Sequence, residues 1–411
     1  MSGKAGRRRT VEMRRLVSSD GDKRGRDISF CMKTKIDLFI LLLLTGYILA
    51  ADHVLAVGND RGSEKINIAG EDSEMGVYDP SVEYDDDGIG WLAYTAMSDF
   101  RNPAGNEKVQ LETHLAKSFD HGRTWTKVGR ANSGLVKTLT LKGKPVQAVY
   151  RNETPTLLYD PHDPDSNRRW KLFTVRGFIS AGNYKNTQWP YVHIAYKYAA
   201  SPEGLSSAKE ILLFGSQYCK PPVCSVKFNL NDFSPDLKNV VFYEEPGSLV
   251  KDGVIYLTLS AVIGRQGQKT ILLSSQDHGE TWKYKGILTF RKDAENLGFN
   301  ELTSSSLAQE DGRVFLLVSP VKAVKLPRHL QYNGVYIFEF VDISKGILKR
   351  DAAGELIVIK YLPSLSTRSV GGGQSEYNEQ NTYGGIIMAQ SDINESCERF
   401  KIFNTGQDIV E

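Results

Sequence analysis

Glu244-Glu245-Pro246-Gly247-Ser248-Leu249-Val250-Lys251-Asp252-Gly253-Val254-Ile255-Tyr256-Leu257-Thr258-Leu259 joins an acidic pair, a proline, an apolar run, an Asp-Gly turn and a second alternating run. Period-two alternation on both sides of Asp-Gly is the pattern of a β-hairpin. The same plan recurs along the chain. Asp79-Pro80-Ser81-Val82-Glu83-Tyr84 leads through Asp87-Gly88 to Trp91-Leu92-Ala93-Tyr94. Glu153-Thr154-Pro155-Thr156-Leu157-Leu158-Tyr159-Asp160 leads to Trp170-Lys171-Leu172-Phe173. Glu301-Leu302-Thr303-Ser304-Ser305-Ser306-Leu307 reaches Asp311-Gly312 and Val314-Phe315-Leu316-Leu317-Val318. A weaker copy, Gly373-Gln374-Ser375-Glu376-Tyr377, precedes Gly385-Ile386-Ile387-Met388. Each copy sets polar residues ahead of its first strand and buries the second.

Between Tyr78 and Phe403 almost nothing has helical periodicity. Short β-runs such as Val192–Tyr198, Thr270–Ser274 and Val335–Phe340 alternate between Gly, Pro and Asp-Gly punctuation. Repeats at this spacing predict an all-β chain, a β-propeller of five four-stranded blades with a sixth left open. Asn59–Ser73 or the C-terminus would close the ring. Loop-rich segments at Phe100–Asn106, Phe178–Pro190 and Ala323–Tyr332 would then surround the central funnel.

The chain has 411 residues, 40% hydrophobic and 24% charged, with a formal net charge of +2. That composition supports one large repeat-built domain, assigned to residues 57–411. Positive charge is concentrated before residue 36, in Arg7-Arg8-Arg9, Arg14-Arg15 and Lys23-Arg24, so the remainder is mildly acidic. A basic tail is no nucleic-acid footprint, and none is expected. Residues 1–56 read as this tail plus a signal segment. Ile36–Ala50 is almost wholly apolar, short for a membrane span and suited to a signal-peptide core behind Met32-Lys33-Thr34-Lys35. Export with cleavage near Ala50-Ala51 or Ala56 is the first reading. An uncleaved anchor with a cytoplasmic basic tail is the alternative and the only membrane association expected. Oligomeric state is not legible.

The 4 Cys are Cys31, Cys219, Cys224 and Cys397. Export would permit a Cys219–Cys224 disulfide, and two thiols are the alternative. The spacing lacks the second pair of a zinc site, so no metal ligand set is assigned. Asp85-Asp86-Asp87 resembles a calcium-binding run but reads first as an Asp-Gly hairpin. No cofactor is expected, with a structural calcium ion left open. Asn152 and Asn394 begin glycosylation sequons.

Ser118-Phe119-Asp120-His121-Gly122-Arg123-Thr124-Trp125 and Ser275-Gln276-Asp277-His278-Gly279-Glu280-Thr281-Trp282 share Ser-x-Asp-His-Gly-x-Thr-Trp. In such a turn Asp accepts backbone N–H groups, Gly supplies positive φ and Trp packs between sheets. The motif resembles the Asp box of sialidases and related propellers, which implies a structural turn remote from the funnel. Ser118, Asp120, Gly122, Trp125, Ser275, Asp277, Gly279 and Trp282 are therefore read as folding residues. His121 and His278 are read as turn residues, not ligands or bases.

In a propeller the first strand of each blade lines the channel, which puts Asp79, Glu153, Glu244 or Glu245, and Glu301 at the funnel. A set of carboxyl groups around one cavity suits glycosidic bond cleavage, where one group donates a proton and another activates water or attacks the sugar. Asp79-Pro80-Ser81-Val82 resembles the opening of five-bladed hydrolases such as glycoside hydrolase family 43, and implies Asp79 as general base. Glu244-Glu245-Pro246 with Asp252-Gly253 is similar to that family's Glu-Gly-Pro strand, and implies Glu244 as general acid. The family's second-blade Asp has no clean match, since Glu153 precedes its Pro. Glu153 and Glu301 are assisting candidates.

The sialidase resemblance implies an arginine cluster for a substrate carboxylate. Tyr78-Asp79-Pro80 stands where sialidases carry Arg-Ile-Pro. Arg151, Arg176, Arg265 and Arg328 remain as cationic candidates, with Tyr78 as a nucleophile candidate. Gln374 and Glu376, after Gly371-Gly372-Gly373, are further funnel candidates. Tyr184, Trp189 and Tyr191 could stack on a sugar, whereas Trp91 and Trp170 read as core. The expected function is that of an exported, sialidase-like glycoside hydrolase acting on carbohydrate. The alternatives are an exo-sialidase with convergent arginines and a non-catalytic glycan-binding propeller.

Overall fold

The computed structural model describes residues 63–101, 107–141, 143–180, 191–221, 224–264, 267–322, 332–364, 369–392 and 400–410. All the described residues fall within one compact unit, Leu43–Glu411. The signal and basic-tail readings, with Cys31, Cys397, Asn394, Tyr184, Trp189, Arg265 and Arg328, lie outside the described residues. No described helix is long and apolar enough to cross a membrane.

Short strands β1 (Glu64–Lys65) and β2 (Ile68–Ala69) open the described chain. Blade 1 follows as β3 (Val77–Tyr84), β4 (Gly90–Arg101), β5 (Glu107–Ser118) and β6 (Trp125–Asn132). β7 (Val136–Leu141) forms a hairpin with the first half of β8 (Lys144–Tyr159). Blade 2 is β8, β9 (Trp170–Ser180), β10 (His193–Ala199) and β11 (Ile211–Gly215), with β12 (Phe228–Asn229) parallel to β11. Blade 3 is β13 (Phe242–Lys251), β14 (Val254–Val262), β15 (Gln268–Ser275) and β16 (Lys283–Thr289). A short helix, α1 (Arg291–Asn296), leads into blade 4. That blade holds β17 (Glu301–Glu310), β18 (Arg313–Val321), β19 (Val335–Asp342), β20 (Ile347–Leu348) and β21 (Val358–Leu362). Blade 5 is β22 (Ser369–Glu376), β23 (Ile387–Asp392) and β24 (Phe400–Asn404).

Blade 5 takes its fourth strand from the start of the described chain, because β1 pairs antiparallel with β24. Of the two closures left open by the sequence, the structure uses the one within Asn59–Ser73. The first strands β3, β8, β13, β17 and β22 adjoin in that order, and β22 returns to β3. Five blades therefore complete the ring, without a sixth.

Alternation explains how each sheet serves two neighbours. On β4, Trp91 and Ala93 pack with Leu157, Trp170 and Leu172 of blade 2. Leu92 and Tyr94 point to the other face and pack with Ile387 and Ile402 of blade 5. Equivalent layers join blades 2 and 3 around Phe173, Leu257 and Trp282, blades 3 and 4 around Leu272 and Leu316, and blades 4 and 5 around Leu317 and Met388. The core is thus five apolar layers between sheets, each buried on both sides. Trp91 and Trp170 belong to it, as the sequence suggested, and their rings meet edge-on at 6.0 Å.

The two octapeptide motifs form matching turns. Asp120 Oδ1 accepts from Thr124 N at 2.8 Å and Ser118 Oγ at 2.9 Å. Asp277 Oδ1 accepts from Thr281 N and Ser275 Oγ, both at 2.8 Å. Trp125 and Trp282 donate their indole N–H to Gly122 and Gly279 carbonyls and bury their rings. Both His residues hold positive φ and reach a preceding blade: His278 Nδ1 lies 2.9 Å from Asp160 Oδ2, and His121 Nδ1 lies 3.3 Å from the Gln380 carbonyl. The turns also staple blades, a function that the linear motif does not disclose. Asp85 acts as a hairpin residue, accepting from Asp87 N, Ile89 N and Trp91 Nε1.

Candidate active site

The first strands break register at one equivalent place in every blade. The shifts fall at Tyr78/Ser81, Glu153/Thr156, Glu244/Gly247, Thr303/Ser306 and Gly371/Ser375. Asp79, Thr154, Glu245, Ser304 and Gly373 occupy the bulges with φ of 49, 49, 56, 51 and 93°. Four non-glycine residues in left-handed geometry at matched positions mark backbone strain held in place by side-chain contacts. Strand direction puts these bulges at the opposite end of the channel from the hairpins that join the first and second strands of each blade and from both octapeptide turns, since Ser118 stands opposite Gly90 and Gly90 opposite Tyr84. Residues 102–106, 181–190, 265–266, 323–331 and 393–399, which follow the second strands in sequence, lie outside the described residues.

The register sorts the carboxyl candidates into two levels. Asp79 and Glu245 are equivalents, whereas Glu153 and Glu244 share the position of Tyr78, one step nearer the mouth. Glu301 lies two residues before Thr303, so it stands further out still. The residue immediately before Pro80, Pro155 or Pro246 is the one that bulges. Those X-Pro pairs were the available signal for Thr154. Ser304, Ser260 and Gln268 carried no comparable signal.

Asp79, Glu153, Glu244 and Glu245 are all buried, between 5% and 8% exposed. Asp79 Oδ1 accepts the Gln374 backbone N–H at 3.1 Å, and Oδ2 accepts the Thr154 hydroxyl at 3.1 Å. Burial pushes its carboxyl up to about 7; the charge of Glu245 adds to this, while the Gln374 and Thr154 hydrogen bonds and Arg151 oppose it. A carboxyl with this value exchanges its proton near neutrality. Glu245 is tied to blade 4 through Ser304 N at 2.7 Å, Ser304 Oγ at 2.9 Å and the Thr303 hydroxyl. Ser260 Oγ and Tyr332 Oη complete its donors at 2.7 and 3.4 Å. Both oxygens are occupied, so this carboxylate acts as a clamp between blades.

Nearer the mouth, Glu153 pairs with Arg151 and accepts from Tyr78 Oη at 3.3 Å. Tyr78 also packs on Phe400 at 4.7 Å. Gln268 Nε2 donates to Glu301 at 3.3 Å and so links blades 3 and 4. Arg151 and Arg176 both belong to blade 2, and Arg176 pairs with Glu210 and stacks 4.2 Å over Tyr150. Among the described residues, then, the arginine candidates do not converge from separate blades.

Gln374 and Glu376 occupy different depths of the channel. Gln374 is fully buried beyond the bulge, and its Nε2 donates to the Pro246 carbonyl of blade 3 at 2.9 Å. Glu376 lies two residues further along β22, roughly 7 Å deeper at strand spacing. It lines a cavity of about 460 Å³ at the opposite mouth, together with Glu83, Ser248 and Leu307. Burial and the charge of Glu83 push the Glu376 carboxyl well above the usual range, and burial raises Glu83 to about 7.

The chemistry available at the bulge end is proton transfer among carboxyl groups from different blades, beside a guanidinium and a phenol. Among the described residues, the Asp160–Asp163–His278 group is closed by the buried Lys171 ammonium, 2.7 Å from Asp163 and 3.4 Å from Asp160.

No family model matches the sequence, and no curated protein matches it. The chain is similar to several solved structures at low identity. A GH43 endo-arabinanase from Bacillus licheniformis is 14% identical, with a TM-score of 0.47 over 82% of this chain and 94% of that one. An exo-inulinase from Aspergillus awamori is 13% identical, with a TM-score of 0.47 over 84% and 64%. A Hadza microbial sialidase is 12% identical, with a TM-score of 0.42 over 81% and 56%.

Proposed function

We propose that this propeller is a glycoside hydrolase whose reaction takes place at the bulge end of the channel. The observation that carries the reading is the placement of four buried carboxyl groups at the bulge level of the first strands of blades 1, 2 and 3, with Arg151 and Tyr78 beside Glu153. Asp79 is assigned as the base that takes a proton from water or supports the attack. Glu244, one step nearer the mouth, is assigned as the acid that donates to the leaving oxygen. Cleavage needs both functions on opposite sides of the scissile bond. Glu153, neutralised by Arg151, is assigned to orient the sugar hydroxyls, and Glu301 to contact the substrate further out. Glu245 holds the third bulge so that Glu244 keeps its direction.

Export through the N-terminal segment fits an extracellular polysaccharide or glycan substrate and belongs to this proposal. The test is a screen of the mature protein against aryl glycosides and complex glycans, including arabinofuranosides and sialosides. Turnover of a glycoside supports the reading and names the sugar. Binding to glycans without turnover of any of them would replace it with a lectin-like propeller. Cleavage confined to sialosides would restore the exo-sialidase alternative.

A further inference from the structure

His193, Cys219 and Cys224 meet at the outer part of blade 2. Their ligand-capable atoms all lie within 4.8 Å of one another, and all three side chains are buried. Cys219 and Cys224 are joined as a disulfide with Cα atoms 5.1 Å apart. His193 begins β10, opposite Arg176 on β9. Its Nδ1 lies 2.9 Å from the Tyr191 carbonyl and so carries the hydrogen that it donates there. That fixes the tautomer: Nε2 keeps its lone pair. Nε2 is buried and has no hydrogen-bond partner among the described residues.

An unpartnered buried ring nitrogen is costly unless something else uses its lone pair. A second ring nitrogen anchored to a backbone carbonyl is the usual support of a metal-binding imidazole. We propose that in the reduced protein Cys219 Sγ, Cys224 Sγ and His193 Nε2 form a site for a thiophilic cation of the Zn(II) class, which the Cys219–Cys224 disulfide closes.

The chemistry balances with a dithiol as reductant. It transfers two electrons and two protons to the Cys219–Cys224 bond and itself becomes a disulfide. The cation then displaces both thiol protons to solvent, and two thiolates neutralise its charge. Tetrahedral bonds of about 2.0–2.3 Å need ligand atoms roughly 3.3–3.8 Å apart, within small side-chain movements of the present spacing. Three protein ligands leave the fourth position to water or an added ligand.

The experiment uses the whole mature protein, reduced with a phosphine, freed of reductant under anaerobic conditions and titrated with Co(II). One equivalent should bind, with thiolate-to-cobalt charge-transfer bands and the intense visible bands of a four-coordinate ion. His193→Gln should weaken binding at least ~10-fold, on the scale of lost ligand support. The Cys219→Ser/Cys224→Ser double variant and the oxidised protein should bind none. Absence of charge-transfer bands in the reduced wild type, or unchanged affinity in His193→Gln, would overturn the proposal. Should His193→Gln fail to fold, imidazole ¹⁵N resonances of the wild type decide: Zn(II) must shift Nε2 of His193, and an unmoved signal overturns the site.

Discussion

Asp79→Asn should stabilise the protein at alkaline pH. Asparagine keeps the local contacts: Oδ1 accepts from Gln374 N, Nδ2 donates to the Thr154 hydroxyl, and Asn tolerates the φ of 49° better than other non-glycine residues. The change removes a buried ionisation. Asp79 titrates at about 7 in the fold against 3.8 ordinarily. Between these values the folded chain holds a proton that the unfolded chain has released, so stability falls as pH rises through the window and the contribution is gone above about 7. Roughly three pKa units at 1.36 kcal/mol each make this about 4 kcal/mol. Asp79→Asn lacks that loss. Its advantage over wild type should be small near pH 4 and grow by about 4 kcal/mol by pH 8. Urea unfolding followed by tryptophan fluorescence at about pH 4.5, 6 and 8 reads the difference, with the pH values set by the titration window. A variant less stable than wild type at the highest pH, or a difference that does not change with pH, would refute the reasoning.

Glu376→Gln removes another buried ionisation, and its raised carboxyl has the same sign, so its thermal midpoint should exceed wild type at alkaline pH and converge with it in acid. Gly373→Ala forces a Cβ into φ 93° and 2.6 Å from Asp79 Oδ1; it should cost about 2–4 kcal/mol in denaturant unfolding and shift the Asp79 titration. Asp277→Ala strips three hydrogen bonds from the turn of blade 3 and should cost about 1.5–3 kcal/mol, with any glycosidase activity at permissive temperature unchanged because the turn lies at the far end.

The fold was legible because blade hairpins announce themselves locally. Trp91-Leu92-Ala93-Tyr94 alternates between two core layers, and Asp252-Gly253 marks the turn between β13 and β14. Ring closure was only half legible, since β1 is two residues long and carries no pattern that singles out β24 as partner. At the site, sequence found the carboxyl groups but not the two levels on which they stand. One residue of bulge separates the clamp Glu245 from Glu244, and a bulge depends on contacts such as Ser304 N with Glu245 that come from another blade. Glu376 was placed with Gln374 because spacing alone does not show depth: Gln374 touches Asp79 at the bulge, while two residues further along the strand put Glu376 in the channel's other half. The Arg151–Glu153 pair lies on one strand, yet spacing alone does not disclose that the two side chains pair.

The most direct test of the central claim is kcat/KM on the cleaved glycoside for wild type, Asp79→Asn and Glu244→Gln, with melting curves in parallel. The account predicts a loss of about 10²–10⁴-fold in each variant, the range for removing an acid or base, with both proteins folded. Full activity in either folded variant would contradict the assignment of the bulge-end carboxyl groups as the catalytic pair.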